Sequence, residues 1–360
     1  MKGRVKRLVA GLAGARGTPL KGGFGTAGAA LPRRVLVLRD GGLGDMILTA
    51  PVLRTLREAL GSQARIDLMC RASSAAVIEG TVLADTIARV GDNPFQSWPA
   101  IRALRHNDYD LVIDLVLSAS LSWALRLLAV APRAVRVGGE KGDLAGMFDL
   151  NAPLPPRHTQ HFLERLRSVA FAALGDFPFS DAPPWLVYPE EVRQRADRIW
   201  TNLGGDGRRV VWVNISAGNA RRRWPIERYR ALLERLLADE TLAAFCWVLS
   251  SAPEDYSEGK QLVAALHDPR CVLLPIEKDF RVLIEMLKHA ALVLTPDTSM
   301  VHAASAVGRP VVVLSVAENA VTWAPWKLPC EVVSAPPGEP AGRIRVHEVA
   351  QALRRLCERI

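Results

Sequence analysis

Residues 34–51, RVLVLRDGGLGDMILTAP, constrain the fold more than any other stretch. The apolar run 35–38 has the aliphatic and β-branched character of a buried parallel strand. A glycine-rich turn follows, and apolar residues then recur at close to a 3.6-residue period over 46–60, which predicts one continuous helix. Asp45 therefore lies at or next to the helix N-cap, at the carboxyl end of a strand, where open α/β sheets bind ligands.

Several kinds of site could use this turn. A dinucleotide site needs G-x-G-x-x-G and an acid at the end of the second strand, but Ile47 stands in the third glycine position and that strand ends in Arg71. The P-loop string G-x-x-x-x-G-K-[ST] does not occur. Two interpretations remain open: Asp45 caps a helix, or it is a general base at a sugar or phosphate site.

Strand and helix patterns alternate along the chain. Strands predicted at 65–70, 86–90 and 110–115 alternate with helices at 73–79, 98–106 and 118–130, which indicates a parallel sheet covered on both faces. A proline-rich segment follows, and a new apolar strand begins at residue 209. These patterns predict an N-terminal extension (1–33), an α/β domain (34–180), an interdomain hinge (181–207) and a second α/β domain (208–360).

Composition narrows the class of protein. The chain has 360 residues, of which 49% are hydrophobic and 23% charged, and no apolar run is long enough to span a membrane. The five cysteines are scattered without a C-x-x-C pair, which fits a reducing compartment. We therefore expect a cytoplasmic protein, held at the inner face of the membrane if its basic tail binds lipid.

The net charge of +9 belongs almost entirely to that tail. Residues 1–34 contain eight Lys or Arg and no acid, whereas the remainder is close to neutral. A basic groove for nucleic acid is therefore not indicated, and we expect no nucleic-acid partner. Two interpretations of residues 1–34 stay open: a cationic arm for an anionic membrane surface, and a dispensable extension.

The second half of the chain carries two polar loops after strands. The loop SAGNARRRWP contains Ser216 and three consecutive arginines, Arg221–Arg223, which suit a phosphate or diphosphate; a solvated arginine run is the alternative. The loop SSAPEDYSEG contains Glu254 and Asp255, which suit ribose or sugar hydroxyls, or a helix cap.

A further strand ends at LVLTPDTSMVHAASAVGRPVVVLS. Thr298 and Ser299 begin a helix of small residues, whose hydroxyls and free N–H groups would attract phosphate. His302 lies one turn into this helix, where a structural role is the usual one for a single histidine. Asp297, directly before Thr298, is the fourth polar residue of this group.

The stretches RDGGLGDMILTAPVLRTLR, NISAGNARRRWP and PDTSMVHAASAVGRPVVVLS stand in the order and spacing of glycosyltransferase family 9. Over residues 34–360 the chain resembles this family of lipopolysaccharide heptosyltransferases. The resemblance implies an α/β fold of two Rossmann-like domains facing across a cleft, the glycosyltransferase B architecture. It also implies an inverting transfer from a nucleotide sugar, most readily ADP-heptose, to a lipopolysaccharide-core or related glycolipid.

The resemblance implies roles at individual positions. Asp45 matches the catalytic base, and the neighbouring glycines match an acceptor-side loop (Gly41, Gly42 and Gly44). Other positions match the donor site, with Arg222 in the K/R-x-W-P cation position and the remaining contacts at Ser216, Glu254, Asp297, Thr298, Ser299 and His302. Arginine and a helix start can stabilise a leaving diphosphate, so we expect neither a cofactor nor a metal.

The chain departs from the family pattern at two places. Ser299 replaces a usual glycine, and residues 315–326 lack a usual Gly-Pro-Thr while keeping W-x-P at Trp323. Two alternatives therefore stay open: the same fold acting on another nucleotide sugar, as a transferase or an epimerase, or a catalytically silent binding or assembly protein.

Overall fold

The computed structural model describes residues 31–91, 94–156, 158–205 and 207–360, together with Lys6. The chain divides into two compact units, one through Trp185 and the other from Leu186 onward. The predicted tail (1–33) lies outside the described residues except for Lys6 and residues 31–33. No helix in the described ranges is long and apolar enough to cross a membrane.

The N-terminal unit is built on a parallel sheet with the order β3-β2-β1-β4-β5-β6. Residues 35–38 of β1 are fully buried, as the apolar run predicts, and each such aliphatic side chain contributes about 1.5–3 kcal/mol through burial. Val35 pairs with Ile66 on one side and with Leu111 on the other. The strands are β1 (Arg34–Arg39), β2 (Arg65–Arg71), β3 (Thr86–Val90), β4 (Leu111–Asp114), β5 (Val135–Gly139) and β6 (Leu150–Ala152).

Helices connect these strands. The core beneath one pair of helices includes Ile101, Leu104, Trp123 and Leu127, which pack on buried strand residues. The helices of this unit are α1 (Leu43–Ile47), α2 (Ala50–Leu60), α3 (Ala72–Ala75), α4 (Pro94–Arg105), α5 (Leu121–Val130) and α6 (Phe162–Leu174).

The prediction of one continuous helix over 46–60 is wrong. The chain forms α1 and α2, separated at Leu48 and Thr49. Pro51 explains the break, because it lacks the N–H that would bond to the Ile47 carbonyl and its ring would clash with that carbonyl. The helix predicted at 73–79 is also shorter than expected, ending at Ala75.

The C-terminal unit repeats the strand order of the first, as β12-β11-β10-β7-β8-β9. Both sheets therefore have the order 3-2-1-4-5-6 that is typical of Rossmann-like domains, which confirms the predicted fold class of two such α/β domains. The strands are β7 (Arg209–Asn214), β8 (Phe245–Ser250), β9 (Cys271–Leu273), β10 (Leu292–Pro296), β11 (Val311–Ser315) and β12 (Cys330–Ser334).

The helices of this unit include one formed by the segment that sequence patterns predict as a hinge. The division between units falls at Trp185, within the predicted 181–207 segment, and the first C-terminal helix forms from that same segment. The helices are α7 (Glu190–Asn202), α8 (Ile226–Leu237), α9 (Tyr256–Leu266), α10 (Phe280–Leu287), α11 (Ser299–Val307) and α12 (Val346–Cys357).

Candidate active site

The carboxyl edge of the N-terminal sheet carries an ion pair between Arg39 and Asp45. Arg39 ends β1; its Nη2 donates to Asp45 Oδ1 at 2.7 Å, and its Nε donates to the Asp45 backbone carbonyl at 3.3 Å. Its Nη1 donates to the carbonyl of Leu115, directly after β4, at 3.0 Å. The guanidinium carbon also lies 5.1 Å from the ring centre of Phe162. These contacts hold the Asp45 carboxylate in one orientation.

The glycines beside Asp45 have different structural roles. Gly42 is the N-cap of α1 and Asp45 its third residue, from which the Asp45 side chain caps the helix through the hydrogen bond of a capping box. The Gly42 N–H donates to Asp45 Oδ2 at 3.1 Å, and Gly44 is a residue of α1. Gly41 has φ +133°, and a Cβ there would lie 2.5 Å from the Asp45 side chain, whereas a Cβ at Gly42 would meet open space. The position of Asp45 therefore requires glycine at 41.

The exposed charge at this edge is negative. The Arg39 side chain is 3% exposed, whereas that of Asp45 is 30% exposed. Burial lowers the pKa of the Arg39 guanidinium, and the carboxylates of Asp45, Asp40 and Asp114 oppose that shift. Asp114 is itself paired with Lys141 at 2.5 Å in a buried contact. Asp45 is thus a fixed carboxylate that a hydroxyl in solvent can reach.

The carboxyl edge of the C-terminal sheet carries a second ion pair, between Arg222 and Asp297. Arg222 Nη1 donates to the Asp297 backbone carbonyl at 3.1 Å, and its Nε lies 3.6 Å from Asp297 Oδ2. Asn319 Nδ2 donates to the same Oδ2 at 2.6 Å. The Arg222 side chain is 37% exposed and that of Asp297 is 5% exposed, so the exposed charge here is positive.

Burial raises the pKa of the Asp297 carboxyl, while Arg222 and the Asn319 hydrogen bond act in the opposite direction. The carboxylate thereby orients the guanidinium from beneath and leaves part of it exposed. An exposed, oriented guanidinium has the geometry that binds phosphate.

Asn214 ties the neighbouring loops together at the end of β7. Its Nδ2 donates to Thr295 Oγ1 at 3.0 Å and to the Ser216 carbonyl at 3.1 Å, and lies 3.4 Å from Thr298 Oγ1. Ser216 Oγ accepts the Ala252 N–H at 2.8 Å, which leaves its own proton for another acceptor. Ser216 and Thr298, both predicted donor contacts, are therefore brought to one edge of the sheet.

Thr298 is the N-cap of α11, as the sequence predicts, and its Oγ1 accepts the Met300 N–H at 3.3 Å. Ser299 is the first helical residue and is half-buried. His302 is buried within α11, and its ring centre lies 5.9 Å from that of Trp323. Residues 315–326 lack the family's Gly-Pro-Thr, but Trp323 of the W-x-P string still packs on His302.

The three consecutive arginines have separate partners. Arg223 Nη1 pairs with the buried carboxylate of Asp255 at 2.8 Å, and Arg221 donates to the Gly338 carbonyl at 3.1 Å. Glu254, the predicted nucleoside contact, is exposed and forms no hydrogen bond or ion pair with any part of the chain that is described. The structure thus places Arg222, and not its neighbours, beside Asp297.

Sequence reasoning misses three residues that organise these edges: Arg39, Asn214 and Asn319. Each stands at or just beyond the end of a strand, at Arg39 of β1, Asn214 of β7 and four residues after β11 at Asn319. A polar residue that closes an apolar strand was the available signal. Each also has a partner distant in sequence, at Leu115, Thr295 and Asp297 respectively, and such pairing could not be inferred from spacing.

Asp110, outside both edges, has a structural role. The string Asp108-Tyr109-Asp110 lies before β4, at the amino edge of the sheet, where Asp110 Oδ2 accepts the N–H groups of Arg33 and Arg34 at 2.8 and 2.9 Å. Among the described residues, no group of three or more His, Cys, Asp or Glu side chains is placed to hold a metal ion.

Known proteins resemble this chain in sequence and in structure. Lipopolysaccharide heptosyltransferase 3 of Escherichia coli K12 is 25% identical over 295 residues, covering 79% of this chain and 82% of that protein. A glycosyl transferase family 9 structure from Veillonella parvula DSM 2008 has a TM-score of 0.74 at 20% identity, covering 91% and 98% of the two chains. E. coli heptosyltransferase WaaC with ADP-2-deoxy-2-fluoro heptose has a TM-score of 0.70 at 21% identity, covering 89% and 99%.

The profile of glycosyltransferase family 9 (heptosyltransferase) matches residues 98–347, and the Asp45 loop precedes that range. The match spans well over half of the chain, and the solved structures share both Rossmann-like units. The chain therefore belongs to glycosyltransferase family 9, the heptosyltransferase family, and is a glycosyltransferase.

Proposed function

We propose that this glycosyltransferase moves heptose from ADP-heptose to a lipopolysaccharide-core or related glycolipid, with inversion at the anomeric carbon. The relative with a bound ADP-2-deoxy-2-fluoro heptose supports the donor, and the relative named lipopolysaccharide heptosyltransferase 3 supports the acceptor class. The observation that carries the proposal is that the carboxyl edge of the N-terminal sheet exposes a fixed carboxylate, Asp45, and that of the C-terminal sheet exposes a fixed guanidinium, Arg222.

Asp45 is the general base of this proposal. As the acceptor oxygen bonds to the anomeric carbon, the acceptor hydroxyl gives its proton to the Asp45 carboxylate. The bond between the anomeric carbon and the phosphate oxygen breaks on the opposite face, and the nucleoside diphosphate leaves with that electron pair. Arg39 and the Gly42 N–H each occupy one position on the carboxylate, and its exposed fraction receives the proton.

Arg222 and the start of α11 stabilise the leaving diphosphate. The charge that develops on the departing oxygen needs fixed cations and dipoles, and these need no reorganisation when Asp297 and Asn214 already hold them. Ser216 and Thr298 supply hydroxyls at the same edge, with His302 and Ser299 in the helix behind them. Glu254 contacts the donor nucleoside in this proposal, and no metal takes part.

The location of the protein follows from its donor. Nucleotide sugars are made in the cytoplasm, so we place the enzyme there, at the inner face of the cytoplasmic membrane where a lipid-linked acceptor is found. The eight basic residues of segment 1–34 would add attraction to an anionic bilayer, about 1 kcal/mol for each charge at the surface.

Thermal stabilisation by nucleotide sugars tests the donor. At one hundred times its Kd, ADP-heptose should raise the free energy of unfolding by about 2.7 kcal/mol, while GDP- and UDP-sugars should give little. At the same donor concentration the Arg222→Ala variant should keep half of the shift or less, and turnover should persist in EDTA. A larger shift with a UDP- or GDP-sugar would contradict the ADP-heptose assignment and favour another nucleotide sugar, the possibility raised by Ser299.

A further inference from the structure

Two neighbouring helices of the N-terminal unit present an uncovered surface. On α4, Trp98, Arg102 and Arg105 recur at intervals of four and three residues and therefore share one face. On α5, Leu121 and Leu125 share a face in the same way. We call these five residues, together with Arg133 after α5, the α4–α5 surface.

The two helices adjoin. Arg126 of α5 donates through Nη2 to Ser97 Oγ of α4 at 3.3 Å, which places the residues next to this pair, Leu125 and Trp98, on adjoining helices. At the other end, a cavity of about 460 Å³ is lined by both Arg105 and Arg133. The surface thus has an apolar end and a basic end.

The apolar end is unusual for a soluble protein surface. The Trp98 side chain is 58% exposed and that of Leu125 is 50% exposed, although α4 and α5 bury other large apolar residues in the core beneath them. Single exposed apolar residues are common, but exposed apolar residues on two adjoining helices that also carry exposed arginines are typical of interaction sites.

The charges identify the class of partner. Residues 94–107 and 115–139 contain no acid, and Asp108 is the acid that joins Arg105 and Arg133 around the cavity. Among the described residues, Arg102, Arg105 and Arg133 form no ion pair, and all three are exposed. A symmetric dimer through this face would offer these arginines no opposite charge, because the two helices carry no acid to pair with them. An anionic bilayer offers phosphates to the basic end of the surface and an apolar interior to the other end.

We propose that the α4–α5 surface docks the enzyme on an anionic lipid bilayer. Tryptophan favours the membrane–water interface, and arginines contact the lipid phosphates. The apolar end begins α5, just beyond the 115–120 loop whose Leu115 carbonyl holds Arg39. The bilayer would therefore meet the unit near the edge that carries Asp45. This inference does not depend on the identity of the donor or acceptor.

Vesicle co-sedimentation of the full chain tests the proposal. Vesicles of phosphatidylglycerol and phosphatidylcholine should bind the wild type more tightly than phosphatidylcholine alone. Arg102→Gln with Arg105→Gln should weaken binding about 25-fold, since each arginine near the surface contributes about fivefold. Trp98→Ser with Leu125→Ser should also weaken binding. Matched controls are Arg198→Gln with Arg235→Gln and Val82→Ser with Val187→Ser, all at exposed positions, and they should bind as the wild type does.

All of these variants keep the basic residues 1–33, so the tail contributes equally to each. Quenching by bromine-labelled lipid adds a direct readout: it should affect wild-type tryptophan fluorescence and be largely lost in Trp98→Phe. Equal vesicle binding by the α4–α5 variants and their controls would overturn the proposal. So would a concentration-dependent dimer without lipid that the Trp98→Ser and Leu125→Ser changes abolish, because a second copy would then be the partner.

Discussion

The two units use the same framework with opposite exposed charges. In the N-terminal unit the arginine side chain of the ion pair is 3% exposed and the aspartate side chain is 30% exposed. In the C-terminal unit the aspartate side chain is 5% exposed and the arginine side chain is 37% exposed. Each arginine also donates Nη1 to a backbone carbonyl just beyond the fourth strand of its sheet, Arg39 to Leu115 at 3.0 Å and Arg222 to Asp297 at 3.1 Å.

This difference explains how one strand order supports two tasks. In each ion pair the buried side chain orients the exposed side chain and leaves its solvent-facing side open to a ligand. The N-terminal edge thereby offers a carboxylate that can accept a proton, and the C-terminal edge offers a guanidinium that can bind an anion. The two domains thus differ in which member of the ion pair faces solvent, although their strand order is the same.

The largest expected effect comes from removing the exposed carboxylate. Asp45→Asn keeps the size of the side chain and an oxygen for Arg39 but removes the proton acceptor, so turnover at saturating donor should fall about 10²–10⁴-fold. Rapid-quench single-turnover measurements check this. Asp40→Asn is the matched control, because Asp40 lies in the same loop and pairs with Arg71 instead. Equal losses in both variants would assign the effect to the loop.

The melting temperature is a poor readout for that variant. Asp45→Asn leaves the buried charge of Arg39 without its closest carboxylate, and such changes lower stability whatever the catalytic role. Donor affinity distinguishes a catalytic role of Asp45 from a purely structural one. Because Asp45 makes no predicted donor contact, the loss of a catalytic base should leave the donor Kd unchanged.

The next effect concerns the exposed guanidinium. Arg222→Ala should weaken donor binding by about 1.5–3 kcal/mol, the usual loss for a hydrogen bond to a charged group. Arg221→Ala and Arg223→Ala should cost less, because Arg223 is committed to Asp255 and Arg221 donates to the Gly338 carbonyl. Isothermal titration calorimetry with the nucleoside diphosphate checks this. Three similar losses would indicate a diffuse basic patch.

A smaller effect tests whether the loop backbone positions Asp45. Gly41→Ala places a Cβ 2.5 Å from the Asp45 side chain at a φ of +133°, so we expect a loss of about 1–3 kcal/mol in stability and a lower turnover. Gly42→Ala has open space and an ordinary φ of −86°, and should lose only the advantage of glycine over alanine at an N-cap, about 0.5–1 kcal/mol. Urea unfolding of both variants makes the comparison; similar losses would contradict it.

The smallest effect is the pH dependence of the buried member of the C-terminal pair. Burial raises the folded-state pKa of Asp297 above its unfolded value. The stability that the protonated form contributes is therefore complete below the unfolded pKa and is lost as pH rises through the folded pKa, by about 1.4 kcal/mol for each unit of difference.

Asp297→Asn removes this titration. The free energy of unfolding of the wild type relative to Asp297→Asn should therefore fall as pH rises above the unfolded pKa of an aspartate, about 3.9, in urea titrations. A relative stability that rises with pH would show that pairing with Arg222 outweighs burial.

Sequence reasoning predicted the parts of the structure that depend on local pattern. Apolar runs identified β1 and β7, and the string before α11 identified Thr298 as a helix start. Reasoning from the 3.6-residue period missed the break at Pro51, because proline at the second position of a helix keeps the apolar period unchanged while removing a hydrogen bond.

The partners of the functional residues were less predictable. Arg39 stands six residues before Asp45 in a strand that otherwise reads as apolar, and its burial depends on the Leu115 carbonyl and Phe162, both distant in sequence. Similarly, Asp255 and not Glu254 is the buried acid of its loop, which one residue of spacing could not decide.

The most direct test of the account measures two constants on the same two variants: turnover at saturating donor and donor Kd, for Asp45→Asn and for Arg222→Ala. The account predicts a crossed pattern. Asp45→Asn should lose turnover by about 10²–10⁴-fold and keep its donor Kd, whereas Arg222→Ala should raise the donor Kd by about 10- to 150-fold. If Asp45→Asn instead raised the donor Kd as much as Arg222→Ala and kept its turnover, the assignment of proton transfer to one edge and anion binding to the other would be wrong.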